Sequence, residues 1–150
     1  MKEHLLIREQ YLRQPVAKVF AFFSEARNLE RLTPSWLRFE VLEPAPTEIA
    51  QGTLIDYRLR VHGIPLKWTS EIETFEPGVR FIDRQLHGPY ALWHHTHEFL
   101  ALGEGTLIRD TVRYGIGFGP FGELARIAQV QRDLDNIFDS RRRAVEEIFA

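Results

Sequence analysis

The chain has no cysteine among its 150 residues. Disulfides, thiolate nucleophiles and thiolate-held zinc or iron–sulfur clusters are therefore excluded. A surplus of charge of either sign is also missing. The 19 Lys and Arg stand against 21 Asp and Glu, leaving a formal net charge of −2. A nucleic-acid binder needs a basic surface to neutralise phosphates, so this balance weighs against nucleic acid as a partner. Long apolar runs are absent as well. Met1-Lys2-Glu3-His4 leads into an alternating pattern, with neither a secretory leader nor a membrane span, which points to a cytoplasmic protein without integral membrane association. Without repeats, low-complexity tracts or linkers, residues 1–150 read as a single domain. What is present is ordinary core-forming material, 44% hydrophobic and 27% charged, enough for one buried core.

His4 to Leu12 reads as a strand. Pro15 then suits the first turn of a helix in which Val16, Val19, Phe20 and Phe23 share an apolar face. A second short helix, about Ala26 to Leu32, stops before Pro34. From Trp36 the texture changes to strands: Phe39–Leu42, Thr53–Val61, Leu66–Phe75, Arg80–Leu86, Tyr90–Leu100 and Thr106–Tyr114. Ile55, Tyr57, Leu59 and Val61 alternate with polar neighbours in the period-two pattern of a half-buried strand. The turns between strands are short, which favours antiparallel neighbours. One long helix, about Phe121 to Phe149, closes the chain, with a stripe of Leu124, Ile127, Leu134, Phe138, Val145 and Ile148. The expectation is an α+β fold: six to seven antiparallel strands, two short helices after the first strand, and a long C-terminal helix across one sheet face. A strongly curved sheet leaves a gap beneath such a helix, where a ligand would sit.

The order of several short segments resembles the START-like (SRPBCC, Bet v 1-like, polyketide cyclase/dehydrase) superfamily over nearly the whole chain. These are Pro15–Phe23 with Asn28-Leu29 and Leu32-Thr33-Pro34; Arg80–Gln85 with Gly88-Pro89-Tyr90 and Trp93–Phe99; and Gly105-Thr106, Asp110, Tyr114, Gly119–Gly122, Ile137-Phe138 and Arg141. The resemblance implies a helix-grip fold with a hydrophobic cavity between sheet and C-terminal helix. Function on such a fold is set by the site and not by the architecture.

Taking Phe81 and Phe99 as inward places Asp83 and Gln85, then Trp93, His95 and His97, on the same face, with His94, Thr96 and Glu98 outside. Thr106, Ile108, Asp110, Val112 and Tyr114 form the inward set of the last strand. Regular hairpins would set His95 across from Asp83 on one side and Asp110 on the other, a register that a slip would overturn. An imidazole between two carboxylates can move protons in an enolisation, ring closure or dehydration. The same row can equally tie three strands together. His95 and His97 point one way and Asp110 offers a third ligand, but His-x-His is a weak motif, and neither a metal nor another cofactor is expected. Gly115–Gly119 between strand and helix lacks the βαβ context of a dinucleotide loop; its glycines let the chain turn. Arg141, beside the apolar stripe, either reaches Asp83, Asp110 or an anionic ligand group, or lays its stem on the core with its head outward.

The first reading is a domain that binds a hydrophobic or amphipathic small molecule: a lipid, quinone, polyketide or aromatic metabolite. Tyr57, Trp68, Trp93, Tyr114 and Phe138 supply the walls, while His95, His97, Asp110 and Arg141 orient a polar end. The second is a cyclase or dehydratase-type enzyme using His95 with Asp83 or Asp110, and Tyr114 as a hydrogen-bond donor. The two differ in whether His95 borders a cavity or is sealed. The third is an interaction module with a filled cavity that dimerises or binds a protein partner.

Overall fold

A computed structural model describes all 150 residues, with the side chain of Ile127 outside the described set. The chain runs β1 (His4–Leu12), α1 (Val16–Phe23), a 3-10 turn (Ala26–Asn28) leading into α2 (Leu29–Leu32), and a second 3-10 turn (Ser35–Leu37). Strands β2 (Glu40–Val41), β3 (Leu54–Val61), β4 (Ile64–Glu76), β5 (Arg80–His87), β6 (Leu92–Leu102) and β7 (Gly105–Gly115) follow. The C-terminal segment is α3 (Gly119–Ala125), a π-helical turn (Arg126–Val130) and α4 (Gln131–Ile148). The seven strands form one antiparallel sheet in the order β1-β7-β6-β5-β4-β3-β2. This is the expected helix-grip arrangement.

Alternation decides which side chains face the helix. In β3, Ile55 and Leu59 are buried while Leu54, Asp56, Arg58 and Arg60 are exposed. In β7, Thr106, Ile108, Asp110, Val112 and Tyr114 are all buried, as their period-two spacing requires. Beneath α1 the interior is filled: Phe20 meets Phe99 edge-on with centroids 5.1 Å apart, and Phe23 meets Phe99 at 5.4 Å. The other half, under α4, is hollow.

Three expectations are corrected. The region Ala26–Leu32 is a 3-10 turn plus one α turn, not a continuous helix. The strand at Phe39–Leu42 shrinks to two residues before the Pro44-Ala45-Pro46 loop. The C-terminal stripe is interrupted: Leu134, Phe138 and Val145 are buried, but Leu124 is 65% exposed. The π turn inserts an extra residue and rotates everything upstream, so Leu124, which simple 3.6-residue counting sets within about 40° of Phe138, leaves the core face. Of the two remaining stripe positions, Ile148 is partly buried against the core and Ile127 lies outside the described side chains.

Contacts at two places hold the helical segment over the sheet. At its start, a Cβ on Gly122 would collide with the Gly117 carbonyl oxygen, so only glycine allows α3 to fold back this closely on the loop leaving β7. Along β1, Arg8 donates to Asp135 Oδ1 at 2.6 Å and Gln10 donates to the Arg142 carbonyl at 3.0 Å. Arg142 in turn donates to the Glu9 carbonyl at 2.9 Å.

Candidate functional site

The hollow half encloses a cavity with a volume of about 310 Å³. Tyr57, Trp68, Tyr90 and Trp93 form an aromatic wall, and Leu134, Ile137 and Phe138 of α4 form the roof. Asp83, His95, His97 and Arg141 bring the polar groups. Rings in the wall are in direct contact: Tyr57 stacks on Trp68 with centroids 5.8 Å apart, and Trp93 meets Trp68 edge-on at 5.4 Å.

The strand pairing builds the polar floor. Asp83 lies opposite His95, as expected. Asp110, however, lies opposite His97, and Val112 faces His95. The two-residue turn Gly103-Glu104, with Gly103 at φ +58°, pairs Leu102 with Gly105, and counting back from that pair fixes the register. The shift is by two residues, so every side chain keeps its face and the diagonal contacts stay within reach. His95 Nε2 bonds to Asp110 Oδ1 at 2.8 Å, and His97 Nε2 bonds to Asp83 Oδ2 at 2.5 Å. The two imidazoles stack on each other with centroids 3.6 Å apart, and His97 also stacks on Phe81 at 4.2 Å.

Electrostatics follow from this arrangement. Burial alone would raise the Asp83 carboxyl, but the His97 hydrogen bond and the neighbouring His97, His95 and Arg141 charges hold it below the usual range. Burial likewise opposes ionisation of Asp110, and Arg141 together with His95 overrides it, leaving that carboxyl well below its ordinary value. His97 moves the other way: burial, then the charge of His95, pushes it down to about 4. Both carboxylates are therefore ionised and His97 neutral near pH 7. Arg141 Nη2 sits 3.5 Å from Asp110 Oδ1, with its guanidinium 5.2 Å from the Phe23 ring centre. It has turned inward to a carboxylate and does not reach out to solvent.

A second polar group lies in the wall. Trp68 Nε1 donates to Ser70 Oγ at 3.0 Å, and the Tyr57 and Ser70 hydroxyls share a bond of 2.7 Å. Burial pushes the Tyr57 hydroxyl above its ordinary pKa, so it is a neutral phenol. Ser70 and Tyr90 are additions to the expected site. Ser70 is legible in principle, since it shares the inward phase of Trp68 and Ile72 and is a polar residue where the pattern is apolar. Conversely, two expected wall or floor residues do not border the cavity. Tyr114 is packed with Val112, Leu134 and Phe138, and Asp110 lies behind the histidine pair.

Asp83, His95 and His97 bring one ligand-type atom each within 4.8 Å of one another. Asp83 thus takes the place that the sequence reading gives to Asp110. The geometry fits a metal poorly. Rings stacked at 3.6 Å with 25° between their planes direct their lone pairs side by side, not toward a common point, and His97 Nε2 already bonds to Asp83.

A curved sheet gripping a long helix around an aromatic cavity with a small polar floor defines a helix-grip, Bet v 1-like protein. Residues 12–140 match the family model described as polyketide cyclase/dehydrase and lipid transport, and the chain belongs to that family. Among solved structures, the chain is similar to TTHA0849 from Thermus thermophilus at 24% identity and TM-score 0.68, covering 96% of this chain and 95% of that one. It is also similar to the ZhuI aromatase/cyclase from Streptomyces sp. R1128 at 14% identity and TM-score 0.70, covering 99% and 98%. A third is ginseng major latex-like protein 151 from Panax ginseng, at 12% identity and TM-score 0.68 over 99% and 98%. At these identities the likenesses establish the fold alone. No curated protein sequence matches the chain. Among the described residues, no helix is long and apolar enough to cross a membrane.

Proposed function

We propose that this protein binds a hydrophobic or amphipathic small molecule in the cavity between sheet and C-terminal helix. The observation that carries this reading is the cavity itself. A void of about 310 Å³ walled by Tyr57, Trp68, Tyr90, Trp93 and Phe138, with a few charged groups among them, has the composition of a small-molecule site. An empty space of that size in a core costs packing energy unless something fills it. The family's description, cyclase and dehydrase activity alongside lipid transport, supports the same class of ligand. The hollow core also weighs against the filled-cavity interaction module. The test is native mass spectrometry of the purified protein, organic extraction of any adduct, and titration with the neutral fluorophore Nile red. A defined adduct or saturable uptake of the probe supports the reading. An empty protein that also ignores the probe overturns it.

One observation favours a second reading, acid–base catalysis of the cyclase or dehydratase type. His95 borders the cavity, with Asp110 hydrogen-bonded behind it and Asp83 beside it. This is the access that proton transfer to a bound molecule needs. His95→Gln keeps the ring's approximate volume and one hydrogen bond while removing the base. The expected outcome is retained binding of the extracted ligand with its conversion lowered by about 100-fold or more. Equal conversion by the variant would remove His95 from the chemistry.

A further inference from the structure

The polar floor carries a directional pattern that limits what a ligand can present to it. His95 Nε2 and His97 Nε2 each face a carboxylate, and an ionised carboxylate only accepts hydrogen bonds. Both Nε2 atoms therefore carry a proton, and in the His97 ring, neutral near pH 7, Nδ1 is an acceptor. His97 Nδ1 is sealed in the interior without a partner. His95 Nδ1 lies 3.8 Å from Asp83 Oδ2, beyond hydrogen-bond reach, on a residue that lines the cavity. Asp83 is half-spent in the same way. Its Oδ2 is taken by His97, while among the described residues no donor reaches Oδ1, and that oxygen is not one of the sealed orphans.

The charges agree with the hydrogen bonds. Arg141, the cation in the lining, has its charge matched by Asp110 at 3.5 Å. The Asp83 carboxylate, with His97 neutral beside it, is left to face the cavity. A spare donor in the wall belongs to the Tyr57–Ser70 pair, where two hydroxyl protons serve a single mutual bond, and the Tyr90 hydroxyl and Trp93 Nε1 belong to lining residues too.

We infer that the cavity selects ligands whose polar end donates a hydrogen bond, a hydroxyl or a protonated amine on an aromatic or polycyclic body, and discriminates against carboxylates. This rests on the ligand-binding reading above and sharpens it. A donor head group satisfies Asp83 Oδ1, and a hydroxyl can also accept from the Tyr57–Ser70 pair. A protonated amine gains further from the faces of Trp68 and Trp93. A carboxylate brings acceptor to acceptor and negative charge to negative charge in a poorly solvated space, where like charges repel strongly. Free fatty acids fall on the wrong side of this rule, although their tails would suit the walls.

All three tryptophans, Trp36, Trp68 and Trp93, line the cavity, so calorimetry can be paired with quenching of intrinsic fluorescence. The probes are 2-naphthol, 2-naphthylmethylamine and 2-naphthoate, which share one apolar body, titrated at pH 7 into the full chain. The expected result is binding of the naphthol or the amine at least about tenfold tighter than the naphthoate. Asp83→Asn, which keeps shape but removes the charge, should shrink that ratio toward parity. Naphthoate binding as tightly as both donor probes in the wild-type protein would overturn the inference while leaving the cavity a binding site. Failure of all three probes, together with Nile red, would overturn both. Since the wild-type comparison stands without the variant, poor folding of Asp83→Asn does not protect the inference.

Discussion

His97 shows how much a single buried side chain can tie stability to acidity. The residue is 3% exposed, its ring is stacked between Phe81 and His95, and its pKa is pushed down to about 4 from an ordinary 6.5, first by burial and then by the charge of His95. Between those two values the unfolded chain binds a proton that the native protein refuses. Stability therefore falls as pH drops from 6.5 toward 4, at roughly 1.4 kcal/mol per unit within the window. Asp83 and Asp110 act in the same direction lower down, because both native carboxyls lie below the ordinary 3.8 and their contribution is lost as the pH falls further. Urea unfolding at pH 7, 5.5 and 4 should show the first slope in the wild type. In His97→Gln the slope between pH 6.5 and 4 should flatten, while the loss at lower pH persists. An unchanged slope in the variant would assign the acid sensitivity to other groups.

At the level of elements, the connection between β7 and α3 is a tight joint. Gly122→Ala sets two effects against each other. Alanine favours a helix over glycine by about 1 kcal/mol. The new methyl, however, runs into the Gly117 carbonyl, and a backbone atom cannot swing aside as a long side chain does. Overpacking of this kind costs about 1–3 kcal/mol, so net destabilisation is expected, with faster hydrogen exchange in α3 than in β6. Equal or greater stability in a thermal melt would show that the joint has slack. The same joint shows where sequence reading runs out. The strands are legible because inward and outward residues alternate, and a shift of two residues, as between Asp110 and His97, leaves that alternation intact. His95, His97 and Asp83 can therefore be placed on the correct face without knowing the turn. The π turn cannot be foreseen, since nothing in Arg126–Val130 marks an inserted residue, and simple periodicity puts Leu124 on the wrong side as a result. Tyr90 escapes notice for a different reason. It precedes β6 in a loop that Gln85 fixes by bonding both its amide and its carbonyl, a side-chain clamp with no periodic signature.

For the molecule as a whole, a hollow core makes stability depend on what is bound. A ligand held only by the native state adds about 2.7 kcal/mol at a free concentration 100 times its dissociation constant. For a chain of this length, that corresponds to a rise of roughly 5–10 °C in melting temperature. The expected outcome for any probe that enters the cavity is a rise that grows with the logarithm of its concentration. A compound that quenches tryptophan without raising the melting temperature is binding the surface or the unfolded chain. The long helix that roofs the cavity has another consequence. The sheet has two open edges: β2 is only two residues long, but β1 runs for nine. A strand edge of that length is a template on which another copy of the chain can add, the first step of aggregation. The Arg142 guanidinium occupies one of its carbonyls, at Glu9, and Arg8 and Gln10 bind the helix alongside. Lifting the helix to admit a bulky guest would free that carbonyl and those side chains, leaving the edge readier to pair, so colloidal stability limits how far this binding site can open.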